Sequence, residues 1–301
     1  MLQAHRTSGG PRYGLYLAPA LTGFLLVVFV PFLMNVGLSF TTWKGVGVPK
    51  IVGLTNFQHL LQDDAFWASM EHSIAFIVAM ALVPTALGVF LAALLYDYIS
   101  VRFGDWLAGL LKAGFYLPQV LPISVAGVLW GWILNPLGAA NTILTSFGLG
   151  ALTLNWLGDP DIALYSVMAV MVWLQLGYAL VVFMSGLARV DPSLHEAAEL
   201  DGAGWLPRFW HITVPMLRPE MFVVGLTTTI TALKVFAPVY VLTSGGPGTS
   251  TMTPSYFSYY HFFSTNRVGY GAAIAVAQTV LIIGLSIIFL RVQARHTQEG
   301  N

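Results

Sequence analysis

The chain has 301 residues, of which 56% are hydrophobic and 9% charged, with a formal net charge of zero. A soluble domain usually carries about 25% charged residues, so this chain has too little polar surface to cover a water-facing globule, and a lipid-facing surface removes the difficulty. There are no cysteines, which excludes a disulfide framework, a Cys-ligated metal and a thiol nucleophile; the seven histidines show no HExxH spacing or close pairing, so no metal site is expected.

A membrane-spanning helix needs about 20 mostly apolar residues, because it rises 1.5 Å per residue through roughly 30 Å of hydrocarbon. Six runs meet that demand. The first lies between Arg12 and Lys44 and the second between Glu71 and Asp97. The third starts after Lys112 and fades near Asn135, and the fourth lies between Asp161 and Arg189. The fifth covers 221–242 and the sixth 268–290. The first is too long for a cleaved signal peptide, and no small-residue cleavage site follows Phe40 before the charged loop, so it reads as a retained helix. Pro31, Pro84, Pro122 and Pro238 sit inside the runs, where neighbouring helices can satisfy the carbonyls they free. The expectation is an all-α membrane protein, one transmembrane domain over 1–301 with six transmembrane helices.

Basic residues stay on the cytoplasmic side. Placing the N-terminus inside puts Arg6, Arg12, Arg102, Lys112, Arg189, Arg208, Arg218, Arg291 and Arg295 in the cytoplasm and leaves Lys44, Lys50 and Arg267 outside, nine against three. Both termini and the loop 188–220 are then cytoplasmic. Trp43, Phe66, Trp67 and Trp156 fall at the outer aromatic belt.

That loop is the longest cytoplasmic segment and has helical punctuation of its own. Asp191 suits an N-cap and Pro192 the first helical position. Glu196 and Glu199 follow in a short helix, Ala197 and Ala198 give it a small face, and Gly202 is placed to end it in a left-handed turn. Trp205, Phe209 and Trp210 with Arg208 make an amphipathic stretch suited to the headgroup layer. On these features alone the segment is either a docking helix or a solvated loop helix whose acids favour its first turn.

Glu196-Ala197-Ala198, then Asp201-Gly202-Ala203, then Ile212 and Pro215, resembles the EAA motif of permease subunits of ABC importers, with Val214 where Leu is usual. The resemblance implies that Glu196, Ala197, Ala198, Asp201 and Gly202 form a coupling helix that docks into a groove on a separate ATPase. It covers nearly the whole chain and points to the sugar-type, carbohydrate-uptake branch. LAPALTGFLLVVFVPFLMNVGLSFTTW from Leu17 is similar to that branch's opening helix, and VGLTNFQHLLQDDAFW from Val52 to its Gly-Leu-x-Asn-Phe and Phe-Trp signature, with His72 where Asn is frequent. NWLGDP from Asn155 and KVFAPVYVLTSGGPG from Lys234 also fit, although Ala237 replaces an acid common in the branch. The fold implied is that of a type I ABC importer permease, multi-pass in a bacterial or archaeal cytoplasmic (inner) membrane. The partners implied are a second permease, an ABC ATPase dimer and an extracytoplasmic solute-binding protein, alongside membrane lipid and no nucleic acid.

No GxxxxGK[ST] phosphate loop occurs, so the chain is not expected to be an enzyme or to hold a cofactor; ATP and Mg would be bound by the partner ATPase. The implied cargo is a sugar or related polyol. Candidate substrate-path residues are Lys234, Tyr240, Trp173, Gln175 and Tyr178. Lys234 lies thirteen residues after Met221, too deep to snorkel easily, so it should face protein or water. Pro238, four residues on, lacks the N–H that would bond the Lys234 carbonyl, which places a kink beside the charge. The alternative for Lys234 is a structural ion pair with a partner subunit. Tyr240 and Thr243 contact a hydroxylated solute or mark the outer interface, and Trp173, Gln175 and Tyr178 either stack on a sugar ring or pack against neighbouring helices. A phosphorylated polyol such as glycerol phosphate is an alternative cargo. An ion-gradient-driven secondary transporter is an alternative of another class, against which every Asp and Glu lies outside the apolar runs; a membrane-embedded enzyme would need a catalytic cluster where Lys234 stands alone.

Overall fold

The computed structural model describes residues 13–299, with side chains for 16–291. Arg6 and Arg12, used for orientation, lie outside the described residues. The chain divides into two units: residues 1–62 with 258–276, and residues 63–257 with 277–301.

In the first unit, α1 (Tyr16–Ser39) is apolar and has no buried side over its most hydrophobic stretch, as a lipid-facing helix should. It leads into a two-stranded hairpin, β1 (Thr41–Thr42) with β2 (Lys50–Ile51), and then α2 (Thr55–Leu61). Asn56 on α2 donates its amide to the carbonyls of Ser39 and Thr41, each at 2.8 Å, which ties α2 to the end of α1. That gives a structural role to the asparagine of the outer signature. The Val268 N–H donates to Trp43 O at 3.0 Å, and Ser258 Oγ donates to Gly271 O at 2.8 Å.

The second unit is built on α3 (Asp64–Phe103), whose 40 residues reach about 60 Å at the α-helical rise, twice what the hydrocarbon layer requires. It is long enough to reach beyond the hydrocarbon layer. Against α3 pack α4 (Asp105–Val120) and the continuous α7 (Ala163–Leu187), around a core that includes Phe183, Leu180, Leu187 and Leu95; α5 (Ile123–Ile133) and the short α6 (Ala139–Ser146) follow α4 in the chain. Glycines mark the close crossings. A Cβ on Gly88 of α3 would lie 3.0 Å from the Ala179 Cβ of α7, and one on Gly127 of α5 would lie 2.7 Å from a Val241 methyl. Small residues let helices approach in lipid, where dispersion and packing rather than burial from water hold them.

The third and fifth runs are interrupted helices, the fifth beside Lys234, where Pro238 predicts a kink. The third is α4 and α5, which meet at 100°. Leu121 is extended there, at φ −68° and ψ 133°, because the ring of Pro122 disfavours helical geometry in the residue before it. The fifth is α9 (Arg218–Leu233), a three-residue break, and α10 (Ala237–Leu242), following α8 (Pro192–Leu200) and a helical stretch at 205–216. Pro31 and Pro84 do not break their helices. The turns just before them, Leu25–Phe29 and Val78–Leu82, widen by one residue and absorb the clash. The chain closes with α11 (Pro254–Tyr259) and α12 (Val268–Glu299). Among the described residues four continuous helices are long and apolar enough to span and the α4–α5 pair adds a bent one; with the broken α9–α10 segment the architecture is consistent with six spans.

Candidate functional site

Two places concentrate polar chemistry: the loop 188–220 and the break between α9 and α10.

In the loop, α8 forms as its punctuation requires. The Asp191 carboxylate accepts the Ser193 N–H at 2.9 Å, and Pro192 opens the helix. That bond, first the Ser193 backbone and then its hydroxyl, holds the Asp191 carboxyl below the ordinary range. At the other end Gly202 takes φ +81°, the Ala203 N–H reaches Ala198 O at 2.9 Å, and the Gly202 N–H reaches Glu199 O at 3.0 Å. These are the two bonds of a Schellman cap, so both ends of α8 are closed. The helix presents Glu196, Ala197 and Asp201 outward, with Ala198 half-buried and Leu200 89% exposed.

The segment after α8 is less interfacial than its composition predicts. Trp205 stacks on Phe209 at 5.4 Å, both rings meet Phe90 of α3 edge-on, and Phe209 is buried. Arg208, only 17% exposed, donates to Glu199 at 2.9 Å. Only Trp210 keeps the exposed aromatic face expected of a headgroup contact. Arg189 pairs with Glu220, which sits beside Gly186 of α7 and ties the two ends of the loop together. A charged, exposed helix is thus closed at both ends and followed by a segment that packs on α3.

At the break, Lys234 is exposed and forms no ion pair among the described residues. The carbonyls freed by the interruption are taken by buried side chains. Gln278 Nε2 of α12 donates to Leu233 O at 2.5 Å and to Ser255 Oγ at 2.8 Å, and Thr253 Oγ1 donates to Val235 O at 2.7 Å. His72 Nδ1 lies 2.8 Å from Met252 O, so the loop after α10 is pinned to α3 as well. Pro238 occupies the first turn of α10, where its missing N–H costs nothing.

The remaining candidates are engaged in packing. Tyr240 is 46% exposed and its ring lies 5.5 Å from Phe236 and 6.4 Å from Tyr256. Thr243 shares a 2.7 Å hydrogen bond with Thr251. Trp173 meets Trp130 edge-on at 5.4 Å and borders an apolar cavity of about 360 Å³ with Phe115 and Pro118. Gln175 is buried, and the Tyr178 hydroxyl lies 3.1 Å from Thr227 Oγ1, which links α7 to α9. Sequence reasoning missed Gln278 and Thr253, whose role depends on a break 45 and 18 residues away, and used Asp97 only to end a span.

Residues 98–298 match the family described as the binding-protein-dependent transport system inner membrane component. The chain is also 34% identical to the probable ABC transporter permease protein YurN of Bacillus subtilis, over 92% of this chain and 94% of that one. It belongs to the ABC transporter permeases. The permease is 31% identical to the trehalose/maltose transport system permease protein MalF of Thermococcus litoralis, with 92% of each chain covered. It superposes with a TM-score of 0.80, at 21% identity over 95% of each chain, on a bacterial alginate ABC transporter solved in complex with an alginate pentasaccharide-bound periplasmic protein. The permease therefore has the type I ABC importer fold, and with its long apolar helices it is a multi-pass inner-membrane component.

Proposed function

We propose that this permease carries a sugar or related polyol across the cytoplasmic membrane as one subunit of an ATP-driven importer, with α8 as its coupling helix. The observation that carries the reading is α8 itself: capped at both ends, braced through Trp205 and Phe209 onto Phe90, and offering Glu196, Ala197 and Leu200 to a partner. An exposed leucine beside a small alanine and a carboxylate suits a partially apolar groove rimmed by basic residues. In this reading the loop 188–220 and both termini are cytoplasmic, the whole chain is one permease domain, and a second permease and an ATPase dimer that holds ATP and Mg complete the transporter. A solute-binding protein delivers cargo from outside. Closure of the ATPase pair draws the coupling helices together and opens the membrane path outward; hydrolysis resets it. The purified permease alone should turn over no ATP, and activity should appear only when the ATPase and second permease are added. ATP turnover by the isolated chain, freed of contaminants, overturns the assignment.

The sugar assignment is supported by the trehalose/maltose relative and by the half-exposed aromatic rings at Trp173 and Tyr240, which suit a pyranose face. A second reading, a phosphorylated polyol, is favoured by one observation: the exposed Lys234 ammonium at the helix break has no ion pair among the described residues. Anion sites usually gather more than one donor, often Arg, and no second base accompanies Lys234 in the fifth run. Uptake of a radiolabelled sugar and its phosphorylated form by the reconstituted importer separates the two. For a neutral sugar, Lys234→Gln keeps a donor and lowers uptake severalfold. For a phosphate it removes a charge-assisted bond of roughly 1.5–3 kcal/mol, about a ten- to hundredfold loss. A preference for the phosphorylated solute that vanishes in the variant sinks the neutral-sugar reading.

A further inference from the structure

A cavity of about 250 Å³ lies where the far end of α3 meets the loop 188–220. Asp97 lines it from α3; His195, Glu196 and Glu199 line it from α8, and Arg208 from the segment after α8. We propose that Asp97 is a positioning residue for coupling, the charged anchor that holds α8 in register on α3 while the ATPase moves it. The proposal rests on the coupling reading of α8 given above.

Three observations converge on it. The first is reach: α3 is about twice the length the membrane requires, and its far end brings a carboxylate to the loop. The second is charge. Arg208 is mostly buried, and its Nε has no hydrogen bond among the described residues. Its direct partner, Glu199, is 71% exposed, so water screens that pair. Asp97 is the half-buried carboxyl on the membrane side of the same cavity, facing His195 and Arg208; burial pushes it above the ordinary carboxylate range, and the two basic groups draw it back toward the charged form. The third is the other attachment of the loop to α3, the stack of Trp205 and Phe209 against Phe90. Apolar contact is non-directional and tolerates sliding. Opposite charges that face one another across a small cavity favour one register of α8 over its neighbours. Together the two attachments let a pull on α8 travel into α3 without slippage.

The absence of cysteine makes the test direct. Val101→Cys on α3 and Ser193→Cys on α8 are spin-labelled in the importer purified with its ATPase and second permease, and their separation is measured without nucleotide and after trapping with ATP, Mg and vanadate. With Asp97 present, one narrow distance should persist in both states. Asp97→Asn, nearly isosteric, should lose the single distance on trapping, Arg208→Gln should do the same, and Asp97→Glu should restore it. ATP-driven uptake should fall by about five- to tenfold in Asp97→Asn, in the range by which positions between two sites modulate coupling. A narrow, unchanged distance in both Asp97→Asn and Arg208→Gln overturns the anchor while the wild-type complex still turns over ATP. Failure of the wild-type chain to assemble with any ATPase overturns the coupling reading, and the anchor with it.

Discussion

Glu196→Lys should abolish ATP-driven uptake while leaving the protein inserted, folded and purifiable. Glu196 is exposed on a helix whose ends are satisfied locally, and it forms no ion pair among the described residues. Its expected partner is a basic residue of the ATPase. Truncating one member of a desolvated interfacial charge pair costs about 2–5 kcal/mol, and reversal costs at least as much, which takes the complex below useful occupancy. Gly202→Val reaches the same loop by another route. No atom lies within 4 Å of a Cβ at Gly202, so there is room for a side chain, but φ is +81°. A β-branched residue is strained there by roughly 1–2 kcal/mol and should unwind the last turn of α8 rather than the protein. Uptake assays paired with membrane-fraction immunoblots decide it. Wild-type uptake by Glu196→Lys returns α8 to a solvated surface helix.

Gly177→Val should sharply lower the yield of folded permease. A Cβ at Gly177 would stand 2.5 Å from the Phe115 carbonyl oxygen and 2.7 Å from the Tyr116 Cα, both backbone atoms of α4. A backbone cannot rotate away as a side chain can, so α4 and α7 must separate and lose their packed interface. Overpacking a core typically costs 1–3 kcal/mol even when side chains can adjust, and total stability is on the order of 5–15 kcal/mol. The internal control is Gly225→Val on α9, where a Cβ meets nothing within 4 Å. Fluorescence-detected size-exclusion yield should collapse for the first and hold for the second. A monodisperse Gly177→Val peak of normal height would show that the α4–α7 crossing is not tight.

The parts legible in the sequence are those governed by local chemistry. Hydrophobic runs of sufficient length predict helices because the bilayer imposes one dimension on every span. The caps of α8 are readable because Asp191, Pro192 and Gly202 each act within five residues of their own position. The absence of a phosphate loop bears on energy supply in the same local way. Pro238 predicts the interruption beside Lys234, but what the other prolines do is not readable. Pro31 and Pro84 widen a helix, whereas Pro122 and Pro238 accompany a bend and a break. The difference lies in who receives the freed carbonyls: at the second break Gln278 and Thr253 arrive from elsewhere in the chain, and no local rule anticipates them. The aromatic segment after α8 departs from expectation for a related reason. Composition alone cannot distinguish rings bound for the headgroups from rings bound for Phe90, and only the packed fold brings Phe90 and Asp97 of α3 to that loop. Helix identity and capping are set by neighbours a few residues away, whose interactions any unfolded chain already holds within reach. The broken helix, the glycine crossings and the charged cavity depend on groups tens of residues apart, and those meet only after the helices have packed.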